Sequence, residues 1–176
     1  MVNIKGGKVT LRAVEPADIE TLYEWENDTE LWHISGTTTP FSHHTLSQFI
    51  EAQRTDIFAA RQMRLMIVDH EQGVSVGALD IFEFDPLHLR AGVGIMVAKE
   101  FCRRGYATDA LLALEEYAAR YLRLHQLWCN VEEDNTASLR LFSSLGYSQI
   151  GVKCDWNATP TGRKSEVMLQ KILALS

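Results

Sequence analysis

The segment KEFCRRGYATDALLALEEYAARYLRL, residues 99–124, passes from two adjacent arginines and a glycine into an apolar-striped run with no Gly or Pro for the next 18 residues. That spacing predicts an amphipathic helix over residues 106–122, and such a helix must bury its stripe against another layer. Its first turn carries unpaired N–H groups at the positive end of the helix dipole, which together suit a phosphorylated ligand. Gly105 allows close backbone approach, and Arg103 and Arg104 add charge-assisted donors. The same residues also make an ordinary helix start with a glycine turn and a solvated arginine pair. No Gly-Lys-Ser/Thr follows and no GxGxxG is present, so nucleotide hydrolysis is a poor reading.

A chain of 176 residues is read as one domain, residues 1–176, with 46% apolar and 23% charged residues. No stretch approaches the roughly 20 apolar residues of a membrane span, so no membrane partner is expected. MVNIKGGKVT lacks the apolar core of a secretory signal, which makes the cytoplasm the expected compartment. Cys102, Cys129 and Cys154 are too far apart for a close-spaced zinc site and cannot all pair. The six histidines form no close ligand set either, so no metal is expected. A formal charge of -6 argues against direct nucleic-acid binding and weakly suits a cationic substrate.

KVTLRAV, residues 8–14, alternates as an opening strand, and PADIETLYEWEND begins a helix with Pro16 in its first turn. Residues 31–44 read as a loop, and Thr45 to Gln48 as a capping box for a second helix beginning near Leu46. LMIV, VSVGALDIFEF and RAGVGIMV read as three consecutive antiparallel strands. LWCNV is a short strand, Asn135 an N-cap, and Gly146 a helix stop. Strands over 147–155 and 165–172 close the chain around a turn containing Pro160 and Gly162. The fold class is therefore α/β (α+β): one mixed sheet flanked by helices.

LRAVEPADIETLYEWEND, VGALDIFEFDPLHLRAGVGIMV, EFCRRGYATDALLALEEYA and VEEDNTASLRLFSSLGY, in that order, resemble the Gcn5-related N-acetyltransferase (GNAT) superfamily. The likeness is greatest to its ribosomal-protein and spermidine acetyltransferase branch, and it covers nearly the whole chain. It implies a mostly antiparallel sheet and acetyl-coenzyme A as acetyl donor. The family signature falls on Cys102, Arg103, Arg104, Gly105, Tyr106 and Ala107, with Cys102 in place of the usual Gln or Arg. By resemblance, Arg103 through Thr108, with Tyr106 and Ala107 between, surround the pyrophosphate. Ile95, Met96 and Val97 contact the pantetheine arm. Asn135 occupies a second coenzyme position, in competition with its capping role, and Arg140 is a candidate for a coenzyme phosphate or for solvent.

The implied reaction is acetyl transfer to a primary amine: a polyamine, a protein N-terminus or another small amine. A lysine-like ammonium costs about 4 kcal/mol to present neutral near pH 7.4, and a carboxylate or a water ordered by one can remove its proton. Glu83, near the end of its strand, ranks above Asp80, which sits deeper in an apolar run; three residues apart, the two face opposite ways unless a bulge intervenes. The acidic run Glu132, Glu133 and Asp134 is a further source of carboxylate or a wet loop. The family's usual tyrosine acid is replaced by Phe142, leaving Ser143, Ser144, Tyr106, Tyr147 or water as substitutes. Trp32, Phe41 and Trp156 are candidate walls of the acceptor cleft. A noncatalytic coenzyme A-binding or interaction protein is the alternative, and a homodimer is the assembly considered.

Overall fold

In a computed structural model describing residues 4–159 and 161–173, the alternating segments pair into one eight-stranded sheet of order β1-β2-β3-β4-β5-β6-β8-β7. β1 (Ile4–Lys5) and β2 (Val9–Ala13) lie at one edge. β3 (Met63–Asp69), β4 (Ser75–Asp85) and β5 (Arg90–Val97) continue as antiparallel neighbours. β6 (Gln126–Glu132) runs parallel to β5, and β8 (Gly162–Ile172) joins it to the outer strand β7 (Ser148–Thr159). A parallel pair needs a crossover, which the predicted long helix supplies. The helices are α1 (Ile19–Glu26), α2 (Trp32–Ser35), α3 (His43–Ala52), α4 (Ile57–Ala60), α5 (Tyr106–Arg120) and α6 (Thr136–Ser144). The mixed, mostly antiparallel sheet flanked by helices is as expected.

Because side chains alternate along a strand, register decides which layer each residue meets. Leu65, Ile67, Leu79, Ile81, Leu127 and Cys129 pack with Ala110, Leu111, Leu114 and Ala118 of α5 in the main core. Met66 points the other way, into a smaller cluster with Leu22 of α1 and Leu46 and Ile50 of α3. The chain thus folds as a sheet between two helical layers.

Local chemistry shifts two boundaries. Ser42, not Thr45, caps α3 by accepting the Thr45 N–H at 3.1 Å, so the helix starts at His43. Within the stretch read as a loop, α2 makes one turn and ends at Gly36, whose φ of 72° suits glycine. Asn135 caps α6 as expected, accepting the Ser138 N–H at 3.1 Å. Pro160 lies outside the described residues.

Two carboxylates tie the start of α5 to the sheet. Asp109 accepts backbone N–H groups from Gly7, Lys8 and Val9 at 2.8, 2.7 and 3.0 Å. Gly6 must lack a side chain there, since a Cβ would stand 2.4 Å from an Asp109 carboxylate oxygen. Asp69, at the end of β3, accepts the Tyr106 hydroxyl and the N–H groups of Glu71 and Gln72, the latter two at 2.8 Å. The Tyr106 hydrogen bond, then those N–H donors, hold the Asp69 carboxyl below the ordinary carboxylate range. Its stabilising contribution is therefore full above the ordinary carboxylate pKa of about 3.9 and disappears as pH falls through the lowered folded value. Asp69→Asn is expected to lower stability at neutral pH and flatten the acid limb of a stability-against-pH curve measured by urea unfolding. An unchanged acid limb would contradict this linkage.

Candidate active site

β5 and β6 are paired over only three positions, Arg90 with Gln126, Ala91 with Leu127 and Gly92 with Trp128. At the last of these the Phe82 ring lies against Gly92, where a Cβ would come within 2.3 Å of it, and meets Trp128 edge-on at 5.2 Å. Beyond this point β5 keeps β4 on one side up to Val97, while its other side has no strand partner among the described residues. The gap opens a cavity of 490 Å³ that receives side chains from both faces of the sheet. Val93, Ile95, Val97, Cys129, Val131 and Phe142 contribute from the α5 and α6 side. Trp25, Leu31, Arg64, Asp80, Asn130 and Glu132 contribute from the α1 side. Ile95, Met96 and Val97, expected along the pantetheine arm, all line it.

The loop before α5 borders this cavity through Cys102, whose Sγ lies 3.6 Å from the carbonyl oxygens of Val97 and Ala98. Arg103 and Gly105 both have left-handed backbones, φ 62° and 84°. Gly105 is the N-cap and offers no capping side chain; the first turn closes only with the Asp109 N–H on the Gly105 carbonyl at 3.1 Å. The N–H groups of Tyr106, Ala107 and Thr108 thus have no capping partner among the described residues. The nearest atom to a Cβ on Gly105 would be the Lys8 ammonium at 3.6 Å, itself donating to the Arg104 carbonyl at 3.2 Å. An uncapped helix start with an open glycine suits a diphosphate. Arg103 and Arg104 are exposed, the latter's guanidinium over Phe101 at 5.6 Å.

Asn135 and Ser138 line the cavity at the start of α6. The Asn135 oxygen is taken by its cap, which leaves its amide N–H groups for a ligand. Arg140 is exposed and outside the lining. Several candidate acids are displaced from the cleft. Tyr106 turns into the core onto Asp69, and Tyr147 is buried behind Phe142, ring centroids 5.0 Å apart, with burial pushing its hydroxyl pKa up. Ser143 and Ser144 are exposed, with Ser144 donating to the Leu141 carbonyl at 2.7 Å. Ser138, one turn before Phe142 and on the same helix face, is the hydroxyl of α6 that lines the cavity among the described residues.

On the opposite wall the expected ranking of carboxylates reverses. Asp80 lines the cavity and pairs in two-pronged fashion with Arg64, Nε and Nη2 donating at 2.7 and 2.8 Å. Arg64 also donates to Glu26 through Nη1. Burial works against this guanidinium, but the Asp80 hydrogen bonds and the charges of Asp80 and Glu26 keep it protonated and push its pKa up. Glu83 is exposed outside the lining: the bulge between Phe82 and Asp85 gives it a φ of 47° and turns it to solvent. The expected aromatic walls are corrected as well. Trp32 donates its indole N–H to the Glu26 carbonyl at 2.9 Å, Phe41 packs in the α1–α3 cluster, and Trp156 is 59% exposed beneath the Lys153 ammonium. None of the three lines the cavity; Trp25 does. Glu166 on β8, opposite Glu132 in register, completes the acidic wall.

A family profile described as an acetyltransferase (GNAT) domain matches residues 8–148. The chain is 25% identical over 167 residues to the uncharacterized N-acetyltransferase p20 of Bacillus licheniformis, covering 94% of this chain and 93% of that one. It is 21% identical over 144 residues to the spermidine N(1)-acetyltransferase of Vibrio cholerae, covering 82% and 81%. A crystal structure of the Vibrio cholerae spermidine N-acetyltransferase with CoA and spermine superposes with a TM-score of 0.85 at 19% identity, covering 94% and 96%. A dodecameric structure of that enzyme gives 0.79 at 20% identity, covering 94% of each chain. At these identities the superpositions establish a shared fold.

The three thiols report on the site. Burial pushes the Cys129 thiol up to about 12, whereas Cys102 and Cys154 are exposed. At pH 7.5 iodoacetamide is expected to alkylate Cys102 and Cys154 and spare Cys129. Saturating acetyl-coenzyme A, whose thioester has no free thiol to consume the reagent, should slow labelling at Cys102, which borders the cavity, and leave Cys154 on β7 unaffected. Equal labelling of Cys102 with and without coenzyme, followed by peptide mass spectrometry, would contradict the placement of the coenzyme beside it.

Proposed function

The chain belongs to the acetyltransferase (GNAT) domain family, and from that premise we propose that it transfers an acetyl group from acetyl-coenzyme A to a primary amine. The observation that carries this reading is the cavity at the parting of β5 and β6, with an uncapped helix start at one mouth and a carboxylate-bearing wall at the other. In this reading the backbone of residues 103–108 holds the diphosphate, assisted by Arg103 and Arg104. The unpaired edge of Ile95, Met96 and Val97 holds the pantetheine arm, and the Asn135 amide donates to it. Acetyl-coenzyme A supplies an activated acyl thioester. That spermidine acetyltransferases share the fold supports an amine acceptor.

Of the carboxylates beside Arg64, Asp80 is the more open, 35% exposed against 19% for Glu26. We assign it to receive the amine proton, directly or through one water, at a carboxylate oxygen that keeps a second lone pair beyond its Arg64 bond. Phe142 donates no proton, and with an ordinary thiol pKa of about 8.5 the leaving group can depart without one. Phe142 also favours a second reading, a coenzyme-binding protein that does not turn over. Self-association is part of the proposal: among the described residues β7 has no strand on its outer side, and a relative of this fold is dodecameric.

The test follows thiol release and product mass with purified protein, acetyl-coenzyme A and a panel of alkylamines and peptides. Asp80→Asn is expected to cut kcat at least about tenfold, with coenzyme affinity within about twofold and a loss that shrinks at alkaline pH. Glu83→Gln should stay close to wild type. Coenzyme binding by calorimetry without transfer to any amine would favour the noncatalytic reading, and no coenzyme binding by folded protein would remove both.

A further inference from the structure

Glycine inside a strand weakens it, and it commonly marks a close approach of backbone or ligand. Gly77 on β4 is explained by backbone, since a Cβ would stand 2.2 Å from the Met96 carbonyl oxygen. Gly92 on β5 is explained by the Phe82 ring, 2.3 Å from where its Cβ would be. Gly94, two positions on, has neither reason. Its φ lies outside the left-handed region. Apart from its chain neighbours, the one described heavy atom within 4 Å of a Cβ there is a Phe82 ring carbon at 3.8 Å, an ordinary contact. As far as the described chain is concerned, alanine would fit at this position.

Gly94 lines the cavity, and register sets what surrounds it. It is directly across from Asp80, so a side chain on it would share the sheet face that carries the Asp80 carboxylate. Across the gap, Asn130 stands two positions past Trp128 on β6, as Gly94 stands two past Gly92, and those two form the last pair before the strands part. Asn130 also lines the cavity, and its Oδ1 is buried with no hydrogen-bond partner among the described residues. A buried amide oxygen left unpaired points to an N–H donor from outside the described chain. Between Asp80 and Asn130, with the Phe82 ring at its foot, the absent side chain of Gly94 thus leaves a notch in the acceptor wall.

We infer that Gly94 is a specificity-determining residue: the place of its missing side chain receives the carbon that bears the reacting amine, with room for a branch on that carbon. The inference rests on the amine-acetyltransferase reading above, which puts the amine proton on Asp80. A nitrogen within hydrogen-bond reach of that carboxylate carries its own carbon beside it, over Gly94, and turns a remaining N–H toward Asn130. A methyl group on residue 94 would compete for the same volume. An unbranched amine can swing its chain away from that methyl. An amine whose carbon bears a second substituent, as the α-amino group of an amino acid or peptide does, cannot.

The experiment measures kcat/KM at saturating acetyl-coenzyme A for wild type and Gly94→Ala. Two pairs of acceptors are used, each differing by one methyl on the amine-bearing carbon: propylamine with 2-aminobutane, and matched peptides beginning with glycine or with alanine. In whichever pair is turned over, wild type is expected to use the branched member within about tenfold of the unbranched one. Gly94→Ala should lower the branched-to-unbranched ratio by about tenfold or more, the discrimination one methyl group gives in a packed site. Coenzyme affinity should be unchanged and the melting temperature should not fall, since the added methyl meets only the ring carbon at 3.8 Å. A ratio unmoved in folded Gly94→Ala, or a wild type that rejects the branched member by more than about tenfold, would overturn the inference while leaving amine acetylation standing. Failure of Gly94→Ala to fold would overturn it too, because the glycine would then be held by packing. So would turnover of some other amine with neither pair used. No turnover of any amine by wild type would remove the underlying reading as well.

Discussion

The early separation of β5 from β6 is the constraint on which the other features depend. Three paired positions suffice to hold the two strands in one sheet, and then the pairing stops. Gly92, pressed against Phe82 at the fork, is where the backbone can carry a bulky ring across the sheet face without a competing Cβ. Past it, the β5 backbone groups facing the gap must be satisfied by something other than a strand, since polar main chain is costly to leave unpaired. A ligand that lies along β5 as a surrogate strand meets that requirement, and the helix that follows β5 presents unpaired N–H groups at the same end. The amide-bearing arm and diphosphate of coenzyme A have the chemistry for both places.

The same opening joins two environments that a continuous sheet would keep apart. One mouth belongs to the main core, apolar but for Cys102, Cys129, Asn135 and Ser138. The other belongs to the smaller α1–α3 layer, where the residues in register with Asp80 and Glu132 are charged. Ion pairs of this kind contribute little net stability, because desolvation offsets most of their attraction. Their effect is on order: they hold carboxylates at fixed places. Asp109 and Asp69 do comparable work on the far side, fastening the first turn of α5 to the β1–β2 turn and to the end of β3, so that the loop around Gly105 stands on rigid supports.

What could be read from the sequence was what neighbours along the chain decide. The stripe of α5, the cap at Asn135 and the alternation of the three central strands are local patterns, and the structure has all of them. The cavity wall is different. Arg64, Asp80, Glu132 and Glu166 come together from β3, β4, β6 and β8, and their meeting depends on registers between segments up to 102 positions apart, as Asp109 and Gly7 also illustrate. Alternation puts Asp80 and Glu83 on opposite sides only without a bulge, and the structure has one between Phe82 and Asp85, with Phe84 in the main core along with Ile81. Which side looks into the opening is set by where β5 and β6 part. A bulge that gives Glu83 a positive φ leaves no mark in FEFDP that distinguishes it from a plain strand end. The aromatic residues Trp32, Phe41 and Trp156 suggested a cleft through composition alone, and each found a local partner instead.

The unpaired edge of β5 and the uncapped start of α5 are proposed together as the coenzyme seat. Amide hydrogen exchange, read by mass spectrometry with and without saturating acetyl-coenzyme A, tests it most directly. Slower exchange is expected in two short regions, residues 93–97 and 103–108, with the β7 edge unchanged. Protection confined to any other part of the chain, with both of these regions exchanging as in the free protein, would contradict it.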